Sequence, residues 1–116
     1  MKSKRKFYTL IQNNVEGYLV QNEDVDQFVI IEAENIEEFY DIADRILEGY
    51  YDFCPCCGSR WDYLEIEEED GEDEPKIFGK PVEQYANSSI YKNIKAIIYY
   101  LNGKKRIYNF KTKNWE

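Results

Sequence analysis

Residues 27–49 read Gln27-Phe28-Val29-Ile30-Ile31-Glu32-Ala33-Glu34-Asn35-Ile36-Glu37-Glu38-Phe39-Tyr40-Asp41-Ile42-Ala43-Asp44-Arg45-Ile46-Leu47-Glu48-Gly49. The opening run, Gln27 to Ala33, is short and β-branched, the mark of a central strand. Asn35 then offers an N-cap oxygen, and Glu37 and Glu38 place negative charge where a helix dipole favours it. Ile36, Phe39, Tyr40, Ala43, Ile46 and Leu47 recur at helical spacing, and Gly49 supplies a terminator. The stretch therefore predicts a strand followed by an amphipathic helix whose apolar stripe packs on a sheet.

Working outward, Phe7 to Ile11 is rich in β-formers, Asn13 to Gly17 is turn-like, and Tyr18-Leu19-Val20 follows, which predicts two paired antiparallel strands. On the other side, Arg60 to Ile66 alternates as a further short strand. Residues 67–75, Glu-Glu-Glu-Asp-Gly-Glu-Asp-Glu-Pro, are too charged to bury and predict a solvated acidic loop. Asn102-Gly103 separates two strand-like runs, Ile94 to Leu101 and Lys104 to Phe110, and predicts a β-hairpin with a type I′ turn. Lysines on its outer strand protect a sheet edge from pairing with other chains. The fold expected is α+β: an antiparallel sheet of about four to six strands with one main helix on one face, residues 1–116 forming a single domain.

The net charge of −8 is unevenly spread. Residues 7–75 hold 21 of the 23 acidic side chains and only two basic ones, Arg45 and Arg60. The basic remainder can pack against this acidic middle, and whatever acidity stays exposed repels nucleic acid and favours basic partners. Basic and aromatic residues do interleave between Lys104 and Trp115, a composition that single-stranded nucleic acid can use. The overall acidity argues against that use and for a charged edge strand. The longest apolar run, Ala96 to Leu101, is far below the roughly 20 residues of a membrane-spanning helix. The basic start leads directly into strand-like sequence with no apolar signal region, so a cytoplasmic location is expected.

Chemistry concentrates in Cys54-Pro55-Cys56-Cys57-Gly58. C-P-x-C-G is the knuckle of many zinc ribbons, with Cys54 and Cys57 as ligands. Structural zinc needs four ligands, and the chain has no histidine and no second cysteine pair. Cys56 has the wrong spacing to complete the knuckle. A monomer would have to recruit Asp52 or Asp62, whereas a dimer could pool Cys54 and Cys57 from two chains. The other reading is a cysteine-lined turn that packs without metal, so the cofactor expectation is none, with zinc left open. A disulfide framework is excluded by the odd count and tight spacing. Cysteine–histidine catalysis is excluded by the missing histidine, and no phosphate-binding glycine loop is present. The sequence does not read as an enzyme.

The order of a strand ending in Ile31-Glu32-Ala33, a helix, Cys54-Pro55-Cys56-Cys57-Gly58-Ser59-Arg60-Trp61 and Glu74-Pro75-Lys76-Ile77-Phe78-Gly79-Lys80 resembles a family of small uncharacterised tailed-bacteriophage proteins. The resemblance implies a phage origin and a place of action in the host cytoplasm, and brings no established activity or cofactor. It points to an accessory protein that binds a host or phage macromolecule, in host takeover or anti-defence. The candidate contact surface is the cysteine turn with Arg60 and Trp61, joined to Glu67, Glu68, Glu69 and Asp70. Arginine and tryptophan are enriched among interface hot spots, although Trp61 reads somewhat better as a core anchor that holds the cysteine turn in place. The alternative is a small zinc-stabilised structural or virion-associated domain. The sequence leaves the oligomeric state open.

Overall fold

In a computed structural model, residues 5–13, 19–50, 53–54, 58–85 and 94–116 are described, with the backbone alone at 53–54 and 58–59. The expected central strand is β2, Phe28–Ala33. It lies between β1, Lys6–Ile11, which is antiparallel to it, and a parallel strand from late in the chain. The two faces of β2 enter two separate cores, which explains its nearly continuous apolar sequence. Val29, Ile31 and Ala33 point to one core, and Phe28 and Ile30 to a second core on the opposite face.

The helix α1, Ile36–Leu47, forms as expected, with the Asn35 side chain accepting from Glu38 N at 2.8 Å. Its buried stripe, Phe39, Ala43 and Leu47, closes the first core over β1 and β2. After Gly49, at φ 89°, the chain leaves the helix and makes a two-rung hairpin, β3 (Phe53–Cys54) with β4 (Gly58–Ser59). The strand expected at Arg60 to Ile66 is replaced by a 3₁₀ turn, Tyr63–Glu65. Its alternation reflects Trp61 and Tyr63 inserting beneath α1 while Leu64 stays outside, not a sheet register.

The second core has its own cover. A small hairpin, β5 (Lys76–Ile77) and β6 (Lys80–Pro81), leads into a 3₁₀ turn at Val82–Gln84, and Ile77, Val82 and Tyr85 pack against Phe28, Tyr108 and Phe110. The remaining strands, β7 (Lys95–Tyr99), β8 (Lys105–Asn109) and β9 (Asn114–Trp115), complete a sheet of order β1-β2-β7-β8-β9. The fold is thus α+β with one helix packed on the sheet, and the sheet is mixed because β2 and β7 run parallel.

Two local expectations are corrected. Among the described residues β1 pairs with β2 and not with a strand at Leu19-Val20. The Gln12 side chain takes the place of a strand there, its Oε1 accepting from Val20 N at 2.6 Å and its Nε2 donating to Val20 O at 3.0 Å. The β7–β8 hairpin exists, but its turn is a three-residue loop, Leu101 to Gly103, closed by Gly103 N to Tyr100 O, and only Gly103 has positive φ. A type I turn followed by a left-handed glycine satisfies the strand twist as well as type I′ does.

Candidate functional site

The sequence-chosen contact residues separate into two groups in space. Arg60 and Trp61 are both fully buried, so the exposure expected of them is not found. Trp61 packs in the core beneath α1 with Tyr8 and Phe39, and its indole Nε1 has no hydrogen-bond partner among the described residues, a cost that the burial of the ring offsets. The Arg60 guanidinium donates to Gln12 Oε1 at 3.0 Å, while Arg60 O accepts from Asn13 N at 2.8 Å. Gln12 therefore saturates its amide, since its Nε2 also donates to Asp26 O at 2.9 Å. This buried polar knot ties the end of β1 to the segment before β2 and to the chain leaving β4.

Glu67, Glu68, Glu69 and Asp70 are all exposed, yet they are tethered. Glu68 Oε2 accepts from the buried Tyr8 hydroxyl at 2.7 Å, and its Oε1 accepts from Ile36 N at 3.3 Å, which joins the acidic segment to the start of α1. Glu67 and Asp70 form a reciprocal cap around the 3₁₀ turn Glu68–Asp70. Glu72 pairs backbone to backbone with Phe7 on the outer edge of β1, and Lys6 Nζ lies 2.6 Å from Asp73. Gly71 is needed at this approach, because a Cβ there would meet Lys6 Cβ at 2.7 Å. Residues 67–70, 73 and 74 are exposed, and the segment also shields a strand edge.

Carboxylates crowd on this rim. Hydrogen bonding and Coulomb repulsion from Glu69 hold the Glu67 carboxyl above its ordinary value. Glu37, Asp41, Asp44 and Glu48 add an exposed acidic row on α1. Between Glu34 and Glu74 the only exposed basic side chain among the described residues is Arg45. The outcome is a carboxylate surface mounted on a helix and on a turn bonded to the sheet, a preorganised field for a cation or a basic surface.

Of the metal candidates, Cys57 and Cys56 lie outside the described residues, and Cys54 is described by its backbone alone, in register with Gly58. Among the described residues no group of three or more acidic or cysteine side chains is arranged to hold a metal. No described helix is long and apolar enough to cross a membrane.

A family model described as a domain of unknown function, DUF7296, matches residues 5–115, from the start of β1 into β9. The chain belongs to the DUF7296 family. The match takes in both cores, so the DUF7296 domain includes the aromatic cover at residues 76–85 as well as α1. No curated protein and no solved structure matches the chain.

Sequence reasoning missed Gln12 and Asp26 as organisers. Asp26 is buried, and its Oδ1 accepts from Gln27 N at 2.8 Å, Lys95 N at 2.9 Å and the Gln21 side chain at 3.2 Å. Burial pushes its carboxyl above the usual range, against the pull of those donors. Only the polar type of these residues beside apolar runs could have marked them, and that pattern reads equally as an ordinary loop.

Proposed function

We propose that this DUF7296 domain is a bacteriophage accessory protein that acts in the host cytoplasm by stoichiometric, non-catalytic binding to a host or phage macromolecule with a basic surface. Host takeover or blockade of a defence component is the role this mode of action fits. The observation that carries the reading is the exposed carboxylate surface on α1 and on the Asp62 to Glu74 segment, two stretches whose own side chains include a single exposed cation among the described residues, Arg45. Its side chains stand on elements fixed by Tyr8, Asn35 and Phe7, so a partner meets a charge pattern already in place, with little ordering cost.

Affinity capture from host lysate, with wild-type protein and with Asp41→Asn, Glu67→Gln, Glu69→Gln combined, tests this. The expected result is a basic partner retained at near 1:1 ratio by the wild type and lost by the neutralised variant at an unchanged melting temperature. Equal retention by both would contradict the reading.

One observation supports a second reading, a small zinc-stabilised structural or virion-associated domain. The β3–β4 hairpin brings Cys54 opposite Gly58, the backbone closure that a C-P-x-C-G knuckle uses. Cys54 and Cys57 from two chains would then supply a four-thiolate site. About one zinc per two chains by elemental analysis, with unfolding by chelator, would favour it over the first reading.

A further inference from the structure

We propose that the groove between α1 and the β7–β8 turn is a self-association site, which receives the Leu64 segment of a second copy of this chain. The groove has a volume of about 510 Å³ and runs along one flank of the helix, with Ile42 and Ile46 on one wall and Tyr99 and Leu101 on the other. Two exposed cations, Arg45 and Lys104, sit at its rim, and neither has a carboxylate within ion-pair distance among the described residues. The groove's one carboxylate, Glu38, is committed to Glu34 N at 2.7 Å. An apolar trough with two unpaired positive charges, on the acidic side of a protein of net charge −8, is a local inversion of sign. It fits a bulky apolar side chain flanked by carboxylates.

The chain itself displays such an anchor. Leu64 is 65% exposed, and Asp62, Glu65 and Glu67 surround it in sequence and are also exposed. It cannot fill the groove of its own molecule. The Tyr40 hydroxyl donates to Ile66 O at 2.7 Å and the Tyr63 hydroxyl donates to Asp44, which fixes the Leu64 segment along the opposite flank of α1. Anchor and groove therefore meet only between copies, and because they face away from each other on opposite flanks of α1, one pair of molecules does not exchange both, so the contact is heterologous, head to tail. Each molecule of a pair keeps one unused anchor or groove, so further copies add until a ring closes or a filament grows.

A contact of this size is weak, with a dissociation constant on the order of 0.1–1 mM. At about 0.15 M ionic strength the Debye length is about 8 Å, so the mutual repulsion of two acidic chains is screened more than the pairs in contact. The inference goes beyond the reading above, since it needs no foreign partner. It does place Glu65 and Glu67 in competition between a basic partner and a neighbouring copy.

Sedimentation equilibrium of the full chain from about 20 μM to about 2 mM tests it, a range that brackets the expected constant. The expected result is a weight-average mass that rises steadily above the monomer value. Leu64→Asp, which spoils the anchor, and the pair Arg45→Glu with Lys104→Glu, which spoils the groove, should each be monomeric alone. Mixed in equal amounts they should form a dimer that grows no further, because one intact groove then meets one intact anchor. That complementation also shows that both variants are folded. A wild type that stays monomeric throughout, variants that associate like the wild type, or a mixture that stays monomeric would each overturn the proposal.

Discussion

The two faces of the central sheet are covered by different means. On one face a single twelve-residue helix lays down Phe39, Ala43 and Leu47, while its outer side carries Glu37, Asp41, Asp44 and Glu48. On the other, short pieces from distant parts of the chain meet through aromatic edges: Phe28 lies 5.5 Å from Tyr85 and 5.9 Å from Phe110, and Tyr108 lies 5.1 Å from Phe110 and 5.0 Å from Trp115. A regular cover leaves a regular outer surface on which charge can be arrayed. An irregular cover spends its large side chains on closing gaps. Stability is thus shared by both faces, whereas the binding surface proposed here lies on the helix side alone.

The strongest test of this division is Trp61→Ala. If Trp61 is the anchor beneath α1, the substitution costs about 3–5 kcal/mol in chemical denaturation. A loss under about 1 kcal/mol, the range of ordinary surface substitutions, would remove Trp61 from the core. Next come two neighbours on β2, Ile31→Ala on the helix side and Ile30→Ala on the aromatic side, both fully buried. Each should cost about 2–5 kcal/mol. A much smaller cost at Ile30 would mean that the aromatic cover is loosely packed and that the helix face alone holds the sheet.

How much of this was legible in the sequence follows the same division. Residues 28–47 announce their structure because strand and helix periods are local, and Asn35 caps where the pattern says it should. Residues 76–85 have no period: Ile77 and Val82 are buried, and Tyr85 half-buried, in a core shared with Phe28 and Phe110, remote in sequence, so nothing near them signals a second cover. Trp61 was visible as either a contact or a core anchor, because the features that mark a hot spot, large area and a polar tip, also mark an anchor, whereas the burial of Arg60 was not visible. The charge of Glu67 to Asp70 is local information, while the bonds of Glu68 to Tyr8 and Ile36 depend on a sheet edge that only the fold creates.

Smaller effects sharpen the comparison further. Asp26 is buried at the junction of β2 and β7 with its carboxyl raised by desolvation. An acid held more weakly acidic in the folded state than in the unfolded one contributes stability that is full below its unfolded value of about 3.9 and is lost as pH rises through the folded value. Asp26→Asn keeps an oxygen for the Gln27 and Lys95 amides and removes the charge. Its stability relative to wild type should therefore improve from pH 4 to pH 7 in paired denaturant titrations; a relative loss over that range would contradict the assigned direction. The smallest effect is expected at Phe78, which is 70% exposed at the tip of the β5–β6 hairpin with φ 52°. Asparagine tolerates that region better, so Phe78→Asn should raise stability by about 0.5–1 kcal/mol, offset in part by the lost ring contact with Tyr85. A clear loss would mean that this ring is integral to the aromatic cover.

In the proposed function, binding resides on the carboxylate surface of the helix side and the aromatic face is scaffold. Amide hydrogen exchange of the protein, alone and bound to the partner recovered by affinity capture, tests it most directly. The account predicts that protection gained on binding falls on α1 and on residues 62–74, with residues 76–85 and 105–115 unchanged. Protection concentrated at residues 76–85 or along β8 and β9, with α1 and the acidic segment unaffected, would contradict it.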